Sequence, residues 1–192
     1  LIQITSNPGL INDEYSEIPG KMQLLKDTLS QISGNDQGKA IIWTHFIENT
    51  KLFRTELADY CPAIIHGSQS DDENNAAIDS FKNDDQTKIL IATPQKAGEG
   101  LTLTVANHAI FYDRSFSLQH YLQAQDRIHR ISQRRSCQIY NLYIENSIDE
   151  YIDKLVRAKH ISSQLASGDI SKSEFIEEGR FDLAKTLQEI LS

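Results

Sequence analysis

Cysteine is scarce in this chain of 192 residues, which carries only Cys61 and Cys137. Two thiols so far apart, without Cys-x-x-Cys spacing, supply neither a disulfide framework nor a zinc knuckle, and a reducing, intracellular setting is the default. Long apolar runs are lacking as well. None approaches the ~20 residues of a membrane-spanning helix, which predicts a soluble chain with no membrane partner. Basic residues are in deficit, 19 Lys plus Arg against 27 Asp plus Glu, so the net charge is −8 and the pI about 5.2. That balance rules out a surface that binds polyanions all over. Internal repeats and low-complexity tracts are missing, as are an initiator Met and a basic leader with a small-residue cleavage site. The chain therefore reads as a piece of a longer protein, with room for one sizeable core and an appendage.

What is present is the composition of a folded globular protein, 39% hydrophobic and 24% charged, with seven Phe and seven Tyr. Four short apolar runs have strand length: AIIWTHF (40–46), AIIHG (63–67), KILIAT (88–93) and HAIFYD (108–113). A fifth, CQIYNLYI (137–144), alternates with period two and suits an edge strand. Helical patterns lie between the first three. Ile47, Leu52, Phe53 and Leu57 mark one, and Ala76, Ala77, Ile78 and Phe81 another, entered at Ser70 with Glu73 placed for a capping box. Further helices are predicted over 21–32, from Leu118 to Ile131 after Ser117, and from Ile148 to about Leu165 with Ser147 as cap and Glu150 at the reciprocal position, broken by Ser167-Gly168. Strand and helix alternate, and the strands are almost continuously apolar. This predicts an α/β fold, a mainly parallel sheet with helices on both faces and further C-terminal helices, whose ligand sites gather at the strand carboxyl ends. The predicted divisions are a lead-in helical segment over 1–35, the sheet-bearing lobe over 36–166 and a helical tail over 167–192.

Three segments imitate known ligand motifs without their chemistry. In GNDQGKA (34–40) only three residues separate the glycines, Ala40 stands where a metal-binding hydroxyl belongs, and a strand follows instead of a helix amino terminus. DDENN (71–75) opens a helix, where capping accounts for its carboxylates. GEG (98–100) is too little for a dinucleotide fingerprint, with Leu103 in place of the third glycine.

The informative segment is QAQDRIHRISQRR, 123–135. On a helix, Gln123, Arg127 and Arg130 fall at i, i+4 and i+7, so the three side chains share one stripe. Paired guanidinium groups facing one way can clamp the oxygens of a transferring phosphoryl group, because the planar fork stays charged and bonds oxygen bidentately. The alternative is a solvated basic face paired with the acidic surface. Charge is nevertheless concentrated here: residues 110–140 hold Arg114, Arg127, Arg130, Arg134 and Arg135 against Asp113 and Asp126 alone. A second phosphate-compatible stretch, TPQKAGEGLTLT (93–104), follows the strand KILIAT, and its small residues, glycines and threonines would let backbone amides and hydroxyls approach a nucleotide or phosphodiester. An ordinary strand-exit loop is the competing reading.

Taken in order, these segments resemble the second RecA-like lobe of superfamily 2 helicases, and most closely the Swi/Snf-type DNA translocases. The resemblance is collinear over about residues 1–165. LIQITSNPGL resembles the helix and Asn-Pro turn that lead into that lobe, AIIWTHF its motif IV, IIHGSQS its motif IVa, and FKNDDQTKILIATPQKAGEGLTLTVANHAIFYD its motif V and following strand. QAQDRIHRISQ is similar to motif VI, Gln-Ala-x-Asp-Arg-x-His-Arg-Ile-Gly-Gln, the most specific of the set, and NSIDEYIDKLVRAKH looks like the helix that follows. Ser132 replaces the motif VI glycine, Phe116-Ser117-Leu118 the usual Trp-Asn-Pro, and Asn74 a frequent arginine. These departures point toward a bacterial, archaeal, phage or viral member.

The resemblance implies a RecA-like three-layer sandwich and assigns roles by position. Arg127 and Arg130 would reach ATP held by a first lobe, with Gln123 supporting the same cleft. Gly98, Glu99, Gly100 and Leu101 would lie near the ribose and the seam between lobes. Thr44, His45, His66, Gly67, Thr102 and Thr104 would contact the DNA backbone, although each histidine could equally be a satisfied strand-end residue. The implied partners are an N-terminal RecA-like lobe of the same polypeptide and double-stranded DNA. The implied cofactors are ATP and Mg2+, bound mainly by that other lobe, because this chain lacks a P-loop lysine and a magnesium-holding acidic strand end. The fragment alone is thus expected to be inactive, and the whole protein to work inside the cell, in the cytoplasm of a prokaryote or virus-infected cell or in the nucleus if eukaryotic. A non-catalytic RecA-like binding module is the alternative. An unrelated doubly wound enzyme would need an acid, base or nucleophile at a strand end, and no convincing set is found.

Overall fold

The computed structural model describes residues 1–35, 38–96 and 101–171. Its five strands are β1 (Lys39–Trp43), β2 (Ala63–Ile65), β3 (Ile89–Ala92), β4 (Ala106–Phe111) and β5 (Gln138–Asn141). All pair in parallel, in the order β2-β3-β1-β4-β5. The helices are α1 (Ile2–Ser6), α2 (Gly20–Asn35), α3 (Asn49–Glu56), α4 (Asp71–Asn83), α5 (Leu118–Gln125) and α6 (Ile148–Ser167).

Strand periodicity explains the layers. Ala40 and Ile42 of β1 point to one face, where Met22, Leu25, Leu29 and Ile32 of α2 and Phe53 of α3 cover them. Ile41 and Trp43 point to the other, against Ile78 and Phe81 of α4 and Ala124 of α5. Burial on both faces accounts for the uninterrupted apolar runs. The sequence of β5, by contrast, alternates because it is the edge, with Gln138 and Ile139 exposed.

Local signals set several element ends. Ser70 and Glu73 form the predicted capping box at the start of α4, and three acidic residues occupy its first turn. Gly168, at φ 81°, ends α6 in the left-handed conformation that only glycine adopts without strain. Ser147 caps α6 by accepting from Asp149 N, while Glu150 bonds Asn146 N one residue short of the expected reciprocal partner. The tail FIEEGRFDLAKTLQEILS lies outside the described residues.

Polar bonds then fasten the outer helices at the carboxyl end of the sheet. Lys21, at the start of α2, forms a 2.5 Å ion pair with Asp149 at the start of α6, both buried, and donates to Tyr112 O. Asp149 also accepts from Thr5 of α1 at 2.8 Å. Burial pushes the Lys21 pKa down by more than Asp149 lifts it.

Candidate functional site

The segment carrying the arginines departs from the expected helix. α5 ends at Gln125, six residues before Ile131, and residues 126–132 form turns. The ladder breaks at Arg127, whose N–H turns to Ala124 O at 3.4 Å, three residues back, and two carbonyls beyond the break are then claimed from outside. Leu103 N takes the carbonyl of Arg127 at 3.0 Å, and the Gln133 side chain takes that of Ile128 at 3.2 Å. Those are the acceptors that residues 131 and 132 would need to continue the helix. Gln123, Arg127 and Arg130 therefore do not share one helical stripe.

The two arginines converge all the same. Arg127 is 6% exposed and donates from Nη1 to Leu101 O at 3.3 Å. Arg130 is half-buried, donates from Nε to Asp126 O at 3.0 Å and from Nη1 to Thr102 Oγ1 at 2.8 Å. Both guanidinium groups thus meet adjacent residues of the segment that leads from β3 to β4. The Arg127 pKa is lowered, first by burial and then by the positive charge of Arg130, so the two charges are near enough to feel each other. Beside them opens a groove of about 920 Å³ lined by Thr102, Asp126, His129, Arg130, Ile131 and Ser132. Gln123 sits half-buried on the last turn of α5. Gly98, Glu99 and Gly100 lie outside the described residues, and Leu101 is the member of that group whose position is seen.

The local arginine excess is smaller than the sequence suggests. Arg114 is buried, forms a 2.7 Å ion pair with Asp153 and lies over the Tyr121 ring. Arg134 and Arg135 are exposed.

Thr44 and His45 turn their polar groups toward a buried carboxylate. Thr44 is wholly buried, and its hydroxyl donates to Asp113 Oδ2 at 2.6 Å. His45 engages Asp113 Oδ1 through both its backbone N–H, at 2.7 Å, and its Nδ1, at 3.1 Å. The other ring nitrogen is buried without a hydrogen-bond partner among the described residues, and His45 borders, with Pro94 and His120, a cleft of about 10 Å³, room for roughly one water. A carboxylate absent from the predicted set draws both polar groups inward.

Asp113 is the residue that sequence reasoning missed. It is 1% exposed and gathers Ser6, Thr44, His45 and Asn49 at the tip of β4. Burial alone would raise its pKa, but the bonds from His45 and Thr44 outweigh that and hold it below the usual carboxylate range. Its position at a strand carboxyl end was the available signal.

His66 and Gly67 are placed more openly. Gly67 is exposed, and a methyl group there would meet nothing within 4 Å, so packing does not demand the glycine. His66 Nδ1 accepts from Ser68 N at 3.3 Å, which leaves the proton of the neutral ring on Nε2 as a donor. Burial, followed by Arg54, lowers the His66 pKa and favours that neutral form. Asn74, another unpredicted residue, accepts from His66 N and donates to the carbonyls of His66, Gln69 and Ser70, fixing the loop. Thr102 is exposed, and Thr104 is half-buried with its carbonyl bonded to Gln133.

A parallel sheet of this order, with cationic side chains over the segment after β3 and donors beyond β2, is a RecA-like α/β arrangement. The family described as "Helicase conserved C-terminal domain" matches residues 20–132, more than half of the chain, and the chain belongs to it. The ATP-dependent helicase FUN30 of Saccharomyces cerevisiae is 31% identical over 86% of this chain and 15% of its own length. The human lymphoid-specific helicase is 36% identical over 78% of this chain and 18% of its own length. The chain therefore spans under a fifth of these relatives. Among solved structures, the Sulfolobus solfataricus SWI2/SNF2 ATPase core in complex with dsDNA covers 91% of this chain, and 39% of that chain is covered, at TM-score 0.69 and 26% identity. The C-terminal part of the Fun30 ATPase domain gives TM-score 0.69 and 28% identity over 81% of this chain and 53% of its own. The lobe is of the Swi/Snf helicase type.

Proposed function

We propose that this chain is the second motor lobe of an ATP-dependent double-stranded DNA translocase, supplying Arg127 and Arg130 to ATP held mainly by an N-terminal lobe of the same polypeptide. The observation that carries this reading is the convergence of both guanidinium groups on Leu101 and Thr102 at the rim of an open groove. Two like charges held side by side repel, and an anion entering between them relieves that repulsion. Bound ATP with Mg2+ would supply the γ-phosphoryl group for transfer to water. Arg130, the more accessible of the pair, stabilises the negative charge that develops there. Arg127, which is buried, fixes the backbone at Leu101, and Gln123 supports the same cleft.

The His66 Nε2–H, the Gly67 backbone and the hydroxyls of Thr102 and Thr104 remain as contacts to DNA phosphates, which fix register without reading sequence. Thr102 bonds Arg130 directly, so one residue borders both sites. The lobe alone is inactive as an ATPase on this reading, and the whole protein works in the compartment that holds the DNA. The test is Arg130→Ala in the two-lobed protein. DNA-stimulated ATP turnover is expected to fall by about 10³- to 10⁵-fold with ATP binding largely retained. Near-normal turnover refutes the role.

A further inference from the structure

We propose that Gln133 is a positioning residue that substitutes for the missing helical backbone and holds the arginine-bearing segment in its working geometry. The inference rests on the role proposed above for Arg130.

The side-chain amide of Gln133 joins three stretches of chain. Nε2 lies 2.8 Å from Ala106 O, 3.2 Å from Thr104 O and 3.2 Å from Ile128 O. Oε1 accepts from Arg134 N at 2.9 Å and Arg135 N at 3.0 Å. Only one orientation of the amide satisfies this surround, because every neighbour on one side is a carbonyl and those on the other are N–H groups. The side chain thus ties together the approach to β4, the turn between Arg127 and Arg130, and the return toward β5.

A helix would place both arginines through its own backbone ladder. Here α5 stops at Gln125, and beyond the local turn bonds of Ile128 N and His129 N to Gln125 O the segment depends on bonds from outside. Leu103 N holds the Arg127 carbonyl, and Gln133 holds the next one. The segment 101–106 that receives the guanidinium groups is the same segment to which Gln133 bonds at 104 and 106. Gln133 therefore fixes the arginines and the residues they meet relative to each other. It touches no reacting atom on this account and acts through Arg127 and Arg130.

The test compares Gln133→Met, which keeps length and loses all polarity, with Arg130→Ala and the double variant in the two-lobed protein. The expected result for Gln133→Met is a loss of about 10- to 100-fold in kcat, the scale of a displaced catalytic group, with KM for ATP little changed. In the Arg130→Ala background the same substitution should add almost nothing, since its effect passes through that arginine. Gln133→Glu, which keeps the acceptor and loses the donors, should reproduce the loss and serves where Gln133→Met does not fold. Normal kcat in Gln133→Glu, or a loss that multiplies fully onto Arg130→Ala, overturns the inference. An impaired Arg130→Ala beside an unharmed Gln133 variant sinks this proposal alone, whereas an unimpaired Arg130→Ala sinks the arginine reading and this one with it.

Discussion

Replacing Asp113 by Asn removes one charge and almost no volume, so its effect measures what the buried carboxylate holds. Oδ2 accepts from Ser6 Oγ at 2.8 Å and Thr44 Oγ1 at 2.6 Å, and Oδ1 from His45 N at 2.7 Å and Nδ1 at 3.1 Å. An asparagine NH2 in the Oδ1 position would face the His45 N–H, a donor that cannot reverse. In the Oδ2 position it would face hydroxyls that can rotate. The Thr44 oxygen already accepts from Asn49 Nδ2 at 3.0 Å and Phe46 N at 3.3 Å, however, which fills both lone pairs. Either way a donor is left facing donors, and charge-assisted bonds become neutral ones. Leaving a buried donor unsatisfied costs about 1–3 kcal/mol, which for a domain of this size corresponds to roughly 2–12 °C in Tm.

Urea denaturation at pH 7 and its dependence on pH give the readout. The folded pKa of Asp113 is depressed, so its contribution is complete above the unfolded carboxylate value, about 3.9, and is lost as pH falls through the folded value. The difference between the two proteins should be flat from neutral pH down to about pH 5 and close below it. A difference under about 1 kcal/mol at pH 7 would show that these bonds are replaceable and that Asp113 organises nothing.

Two further stability outcomes are expected. Lys21→Met strands Asp149 with Thr5 Oγ1 and Ile144 N as its neutral donors and should lose about 3–5 kcal/mol by urea denaturation. Adding Asp149→Leu should restore much of that loss, and a worse double variant refutes the account. Gly38→Ala places a Cβ 2.0 Å from Asn107 Oδ1, beside a side chain that is itself buried, and should lose about 1–3 kcal/mol; an unchanged Tm would show that Asn107 moves freely.

The strands were legible because burial on both faces writes itself into the sequence as runs such as AIIW and KILIA. The α4 cap was legible because Ser70 and Glu73 bond locally. Where partners are distant in the chain, the sequence is silent. Nothing near Arg127 announces that α5 ends at Gln125 or that Leu103 N–H will claim the Arg127 carbonyl, so the helical spacing of the arginines was a false reason for placing them together. Thr44 and His45 look like exposed strand-end polar residues until Asp113, 68 positions beyond His45, is brought beside them. Gln133 stands at the end of the recognised motif, yet only the folded chain shows an amide with five neighbours. The outline of the site came from residue types, whereas its geometry came from bonds that cross from one segment to another.

The small helix α1 has an effect larger than its five residues suggest. Ser6 donates to Asp113 and accepts from Asn49, and its carbonyl receives the Tyr112 hydroxyl, while Asn7 donates to Asn49. Whatever pulls on the chain upstream of the lobe therefore tugs on the strand tips without passing through the apolar layers. A fragment trimmed to residue 20, where the family match begins, would keep every core side chain of the sheet and still lose its latch.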